Sequence, residues 1–311
     1  MSKYIEYYDY LNNDIIRKLN LSTLNKITPY NNNYIINLPN IPDYFIKKKN
    51  NLNNYENNKI SKLKKKDFIK IYDLNFKMKS IMSKLEKIIK PGVNISEIDE
   101  YLYKNICKKK LFPSMFGYDN FPKSSSLSVN DIICHSVPYN YKLLEEDIVS
   151  VDVCGYNGFH TDNAHTYAVS NKVSGNNIAL IETTKKCLYS AISICKEGVP
   201  YSTIGKIVEK IANDNGFQVI KKFRGHGIGK KLHMKPFIPN YNSITKNNTN
   251  KGEIMKIGDM FAIEPLLSSG NGKAKLLEDK YGYITDDNSN SAHFERVVLI
   301  TENGYEILND F

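Results

Sequence analysis

The sequence predicts an α+β fold in which two αβ halves face each other with a site at their junction. Three observations carry this. A short motif occurs twice, as Lys90-Pro91-Gly92-Val93-Asn94-Ile95-Ser96-Glu97-Ile98 and as Lys196-Glu197-Gly198-Val199-Pro200-Tyr201-Ser202-Thr203-Ile204, matching at K-x-G-V-x-x-S-x-I. Each copy joins one helical pattern to another, which is the mark of an internal duplication. Strand-like segments follow each copy, and isolated acidic residues lie within them.

In chain order, residues 1–60 are polar and rich in Asn, Lys and Tyr, with NNN at 31–33 and KKKNNLNNYENN at 47–58. They read as an extension that drapes over a domain or stays partly disordered, so the folded domain is expected over 61–311. From Asp67 onward Phe68, Ile71, Leu74, Met78, Ile81, Met82, Leu85 and Ile88 recur at helical spacing until Lys90-Pro91-Gly92 stops them, predicting one long amphipathic helix. A second helix starts at a cap near Asn94 or Ser96, with Ile98, Leu102 and Ile106 on one face. Asp147 to Cys154 is rich in β-formers, Tyr156-Asn157-Gly158 has turn chemistry, and Phe159 to Val169 returns, predicting a hairpin. Thr183 to Cys195 reads as the helix that opens the second half.

Composition narrows the function classes. The 311 residues, 41% apolar and 24% charged, are ordinary for a folded protein and long enough for a sizeable core. No apolar run approaches the roughly 18–20 residues of a membrane span. The opening MSKYIEYYDYLNN has neither a basic region followed by an apolar stretch nor the acid-poor character of a transit peptide, so a soluble cytoplasmic monomer is expected. The five cysteines form no CxxC pair and are odd in number, which argues for reduced thiols over a zinc knuckle or a disulfide framework. The net charge of +10 is skewed: residues 1–110 hold 22 Lys/Arg against 11 Asp/Glu, and the remainder 21 against 22. Such a skew suits contact with a ribosomal surface, although Lys- and Asn-biased composition alone also produces it. The aromatic-basic alternation of a DNA- or RNA-binding module is absent.

Asp152, Asp162, His226, Glu264 and Glu295 stand in strand-like or glycine-rich settings. Four carboxylates and one imidazole suit a pair of hard or borderline divalent ions (manganese, iron, cobalt or zinc), whereas a structural zinc would draw on cysteines. For Asp152 and Asp162 to lie directly opposite each other in the hairpin, its loop must hold an odd number of residues, and a three-residue loop at Tyr156 to Gly158 meets this. Two carboxylates so close repel unless cations lie between them. Gly225-His226-Gly227-Ile228-Gly229 surrounds the imidazole with glycines, which permit close approach and unusual dihedrals. Glu264 ends the apolar Phe261-Ala262-Ile263, and Glu295 precedes Arg296-Val297-Val298-Leu299-Ile300. Carboxylates in such runs are costly unless paired or metal-bound.

Tyr118-Asp119-Asn120-Phe121-Pro122-Lys123-Ser124 and Ser128-Val129-Asn130-Asp131-Ile132-Ile133-Cys134-His135, followed by these five residues in order, resemble the type I methionine aminopeptidases of the pita-bread fold. The likeness runs from about Pro39, through Ile41-Pro42-Asp43-Tyr44, to Phe311. The resemblance implies an antiparallel sheet with helices packed outside and two divalent metal ions between the halves. Asp162 and Glu295 would bridge both ions, Asp152 would chelate one, and His226 with Glu264 would complete the other. It further implies Glu264 as proton shuttle, His233 as donor to the substrate carbonyl, and His135 as a contact to the substrate backbone. A methionine pocket would be lined by Tyr118, Phe121, Ser126, His135, Leu232 and Tyr281. The substrates would be nascent polypeptide N-termini. Ser126, Leu232 and Tyr281 depart from the family's usual cysteine, phenylalanine and tryptophan. The Asp152–Asp162 hairpin is one residue short, His293 and Arg296 replace a glutamine and a histidine, Ser136-Val137 replaces Gly-Ile, and His165 is additional. The rivals are a proline-directed aminopeptidase or prolidase, which would be expected to carry a large separate N-terminal domain and not the Phe121-Pro122-Lys123-Ser124 segment, and a non-enzymatic binding protein on the same fold, which would be expected to lose ligands.

Overall fold

The computed structural model describes residues 38–44, 63–243 and 253–311. Helix α1 (Lys65–Met82) buries Ile71, Leu74, Met78, Ile81 and Met82, the inward stripe its periodicity requires. The helical run is shorter than its pattern. Lys84 N–H bonds Ile81 O at 3.2 Å, a tighter i→i+3 bond that ends α1. A single further turn, α2 (Leu85–Ile88), follows. Helix α3 (Ile95–Lys108) is capped by Asn94, whose side chain accepts from Ser96 N–H at 3.0 Å.

The first half then lays down β1 (Phe112–Pro113), β2 (Ser125–Val129), β3 (Ile132–Cys134), β4 (Ile148–Tyr156) and β5 (His160–Ala168). Strand β4 pairs antiparallel with β2 and β5 on its two sides. Alternation along β4 sorts its side chains. Val149, Val151 and Val153 enter the core formed with Ile71 and Leu74 of α1 and Ile98 and Leu102 of α3. Asp152 therefore turns away from the helices, toward the other half.

The second half begins with α4 (Gly175–Ile192) and α5 (Ser202–Asp214). Helix α4 starts well before Thr183, because Ser174 caps it by accepting from Asn177 N–H at 3.3 Å. Strands β6 (Gln218–Val219), β7 (Arg224–Gly227), β8 (Met234–Pro239), β9 (Met260–Ile263), β10 (Leu266–Ser268), β11 (Ala274–Leu276), β12 (Tyr283–Thr285), β13 (Ser291–His293), β14 (Arg296–Thr301) and β15 (Gly304–Ile307) follow. Five of them form a sheet in the order β15-β14-β9-β7-β8. Phe261, Ile263, Val298 and Ile300 bury its helical face against Leu180, Leu188, Ile204 and Val208. Strand β12 pairs with β3, which ties the halves together away from the main sheets.

The two motif copies fold alike. Gly92 and Gly198 take φ of +84° and +81°, the left-handed region that glycine enters without a Cβ penalty. Their N–H groups reach Leu143 O at 2.7 Å and Met255 O at 2.9 Å, and Leu143 and Met255 each donate back, to Val93 O and Val199 O, at 2.9 Å. Asp147 then accepts from Leu144 N–H (2.8 Å) and Tyr141 Oη (2.7 Å), just as Asp259 accepts from Lys256 N–H (2.7 Å) and Tyr201 Oη (2.8 Å). Strands β4 and β9 begin one residue after these aspartates. The duplication read from nine residues thus extends through the whole joint.

Of the N-terminal extension, Leu38 and Ile41 pack on Tyr103 and Phe112; residues 1–37 and 45–60 lie outside the described residues. Among the described residues no helix is long and apolar enough to cross a membrane.

Candidate metal centre

Asp152 and Asp162 come from β4 and β5, His226 from β7, Glu264 from the end of β9, and Glu295 from the link between β13 and β14. Three of the carboxylates converge on one imidazole edge, with His226 Nε2 3.8 Å from Asp162 Oδ2, 3.7 Å from Glu264 Oε1 and 3.8 Å from Glu295 Oε1, and Asp152 has a carboxylate oxygen within 4.8 Å of one on Asp162. The halves are sewn together here. Glu295 N–H bonds Ala164 O at 2.9 Å, and Asn309 Nδ2 donates to Asp162 O at 2.6 Å while its Oδ1 accepts from Val297 N–H.

The hairpin register differs from the expectation. Tyr156 pairs with His160, so the three-residue loop is 157–159, and Asp152 stands opposite Ala164 while Asp162 stands opposite Cys154. The aspartates are diagonal neighbours on one face, still within mutual reach. The ring contact between Tyr156 and His160, with centroids 4.5 Å apart, and the burial of Phe159 favour extending the ladder by that pair.

The electrostatics suit a bound cation. Burial raises the pKa of Asp152, Glu264 and Glu295 well above the carboxylate range, reinforced by neighbouring carboxylates, above all Asp162. Asp162 is pushed up to about 6 by burial, moderated by hydrogen bonds from Cys154 and the Asn163 N–H. His226 is lowered to about 4 by burial, so its ring is neutral and its lone pair available near neutral pH. Asp152 Oδ1 and Glu295 Oε1 are buried with no hydrogen-bond partner. Orphaned carboxylate oxygens around a neutral imidazole fit divalent cations, which satisfy lone pairs and cancel repulsion at once.

The glycines beside His226 serve close approach and not unusual dihedrals. A Cβ on Gly225 would lie 2.4 Å from Ala262 O, and one on Gly227 2.3 Å from Lys235 O. Adjacent strands can press against β7 only because those side chains are absent.

His233 packs edge-on against His226 (centroids 4.3 Å), and its Nδ1 is 2.7 Å from Tyr118 Oη. Phe121 meets Tyr281 edge-on at 5.5 Å, and Tyr281 Oη donates to Asn120 O at 2.8 Å. Ser126 is buried directly opposite Asp152, and Leu232 is buried in the first core. His135 adopts φ +58°, an uncommon conformation for a non-glycine residue, with its exposed ring between Phe223 and Tyr283. Of the departures, His293 is buried with neither ring nitrogen hydrogen-bonded. His165 and Arg296 turn away from the centre: Arg296 donates to Ala164 O and Glu295 O at 3.1 and 2.7 Å and lies over Phe311, and His165 packs on Phe294.

Sequence reading missed Cys154, which lies two residues past Asp152 on the same strand face, and Tyr44, whose ring packs edge-on to Tyr118 at 5.2 Å. The strand alternation held the signal for Cys154. Nothing local signalled Tyr44.

The fold and site together define a pita-bread architecture built around a buried cluster of carboxylates and one imidazole. Residues 77–302 match the description "Metallopeptidase family M24", and the chain belongs to that family. Methionine aminopeptidase 1 of Saccharomyces cerevisiae is 39% identical over 221 residues, covering 71% of this chain and 56% of the yeast protein. The crystal structures of methionine aminopeptidases from Rickettsia prowazekii and Thermotoga maritima are 29% and 30% identical, each with a TM-score of 0.77, and each alignment covers 81% of this chain and 100% of theirs. The chain spans 56% to 64% of the length of the curated relatives it matches.

Proposed function

We propose that this protein is a methionine aminopeptidase, removing the first residue from peptides and nascent chains that begin with methionine and continue with a small residue. The observation that carries the reading is the link between pocket and centre: His233 touches His226 on one side and Tyr118 on the other. A side-chain pocket coupled to a hydrolytic site selects the residue whose bond is cut. The names of the relatives above support methionine as that residue.

Asp152, Asp162, His226, Glu264 and Glu295 would hold two divalent ions. When bound, these supply the Lewis acidity that acidifies water and polarises a peptide carbonyl. Glu264, its pKa raised by burial, is suited to take a proton from the attacking water and pass it to the leaving amine. His233, oriented by Tyr118, hydrogen-bonds the oxygen of the scissile carbonyl as negative charge develops. His135 contacts the peptide backbone beyond the cut bond. Tyr118, Phe121, Ser126, Leu232 and Tyr281 line the methionine pocket.

We place this activity in the cytoplasm on emerging chains. The basic excess of residues 1–110 supports a ribosomal contact, and salt-insensitive or absent cosedimentation with ribosomes would argue against it. The activity is tested by offering metal-loaded protein Met-Ala-Ser and an Xaa-Pro dipeptide. Release of methionine from the tripeptide alone is expected; cleavage of the Xaa-Pro peptide alone means a proline-directed enzyme, and no cleavage with several metals means a binding protein.

A further inference from the structure

Cys154 lies inside the centre and has no part in the activity proposed above. Alternation along β4 puts its thiol on the face that carries Asp152, and the register sets it opposite Asp162. Sγ donates to Asp162 Oδ1 at 2.8 Å. One donor atom from each of Asp152, Cys154 and Asp162 lies within 4.8 Å of the others. That is close to the spread of donors around one ion, with oxygen at about 2.0 Å and sulfur at about 2.3 Å. An independent observation points to a cation at this spot: Asp152 is 7% exposed, and its Oδ1 has no hydrogen-bond partner. An unsatisfied carboxylate oxygen at that depth is costly, and a thiol turned toward Asp162 does not relieve it.

Three of the other cysteines have different surroundings. Cys187 and Cys195 belong to the second core, where each donates to a carbonyl. Cys107 sits in the outer cluster with Leu38. Cys134, buried on β3, is near enough to the centre for Asp152, Glu264 and Glu295 to raise its pKa further after burial, but it belongs to no three-donor group among the described residues.

We propose that Cys154 is a sulfur ligand to the ion held by Asp152 and Asp162, giving that position an oxygen, oxygen, sulfur donor set while the position of His226 and Glu264 remains oxygen and nitrogen. Sulfur–metal bond formation breaks the S–H···O bond to Asp162, and the thiol proton leaves to solvent. A soft donor shifts the preference of this one position from manganese toward zinc and other thiophilic divalent ions. The proposal rests on reading Asp152 and Asp162 as ligands, so its test must separate the two ideas.

The full-length protein, freed of metal, is titrated with Co2+ and followed by absorption. Thiolate-to-cobalt charge transfer gives a near-ultraviolet band, whereas oxygen and nitrogen ligands give only the visible d–d bands. We expect both sets in the wild type, and loss of the near-ultraviolet band alone in Cys154→Ser and Cys154→Thr, whose hydroxyls can still donate to Asp162. The preference for Zn2+ over Mn2+ should fall by about tenfold or more in these variants, the lower end for losing a contact at a metal centre. Visible bands without charge transfer in the wild type, which needs no variant to fold, overturn the sulfur ligand and leave the carboxylate site standing. A band that persists in Cys154→Ser assigns it to another cysteine and also overturns the proposal. Absence of all bands removes the carboxylate site, and the proposal with it.

Discussion

The two halves share a joint and differ in what they hang on it. In both, a left-handed glycine turns the chain, a buried or half-buried aspartate closes the return, and a strand starts one residue later. Asp152 lies four residues past Ile148, and Glu264 lies four past Met260, so the joint sets equivalent carboxylates at equivalent depth. Beyond that point the halves part. The first returns at once through a three-residue loop, with both aspartates on two long paired strands. The second inserts β10 to β13 before it returns through β14, and its strand β7, paired with β8 and β9, carries His226 opposite Ala262, where β2 of the first half sets Ser126 opposite Asp152. Duplication accounts for the scaffold, and the centre's chemistry comes from the divergence: the imidazole that faces three carboxylates belongs to one half, and a thiol belongs to the other.

The largest expected effect comes from cutting the seam. Asp162→Ala removes the carboxylate that meets both Asp152 and His226, so metal retention and methionyl peptidase activity should both be lost. The loss should exceed the roughly 10–100-fold of changes outside the ligand set, as read by bound metal and tripeptide turnover. His233→Ala lies outside the five expected ligands and should leave metal content unchanged while lowering kcat by about 10²–10³, the cost of losing a donor to developing negative charge.

The pH dependence sharpens the same contrast. Before metal binds, Asp162 takes up a proton as pH falls through about 6, and His226 takes one up near 4. Each must leave for a cation to enter, so metal affinity should fall with pH, by up to about tenfold per pH unit for each proton displaced. Calorimetric titrations at pH 7, 6 and 5 test this; affinity constant across that span would mean that Asp162 carries no proton to displace.

Smaller effects compare the joints themselves. Asp147 is 3% exposed, whereas Asp259 is partly exposed. Asp147→Ala removes a buried acceptor that serves Tyr141 Oη, Leu144 N–H and Asn130 Nδ2 and should cost about 1–3 kcal/mol of stability, and Asp259→Ala should cost less because water can replace it. Gly92→Ala and Gly198→Ala have space for a methyl group, with nothing within 4 Å. Each should therefore cost only the left-handed strain, about 1 kcal/mol, and equally. Unequal losses in urea titrations would show that the joints are not equivalent.

Much of this organisation was legible in the sequence, for identifiable reasons. Amphipathic period revealed α1 and α3 because each buries one stripe, and the K-x-G-V-x-x-S-x-I repeat exposed the joint because its glycine must turn left-handed. The five candidate metal ligands stood out as polar groups set in apolar or glycine-rich runs. The hairpin register did not, because parity fixes a shared face but cannot choose between opposite and diagonal pairing; the Tyr156–His160 ring contact decides that. The start of α4 was hidden by Gly175-Asn176-Asn177, which resembles a loop until Ser174 is seen as its cap. His165 and Arg296 looked close to the metals by sequence number, yet an odd offset from Asp162 and Glu295 turns them to the opposite face. The pairing of β12 with β3 joins segments about 150 residues apart, and no local pattern encodes it.

Metal stoichiometry in the folded protein tests a two-ion centre most directly. Equilibrium dialysis of the metal-free chain against Co2+ or Mn2+, followed by elemental analysis, should give two ions per wild-type chain and at most one for Asp152→Ala, the surviving ion being held by His226 and Glu264. A wild-type chain that binds a single ion, or an Asp152→Ala variant that still binds two, would contradict a centre assembled from both halves.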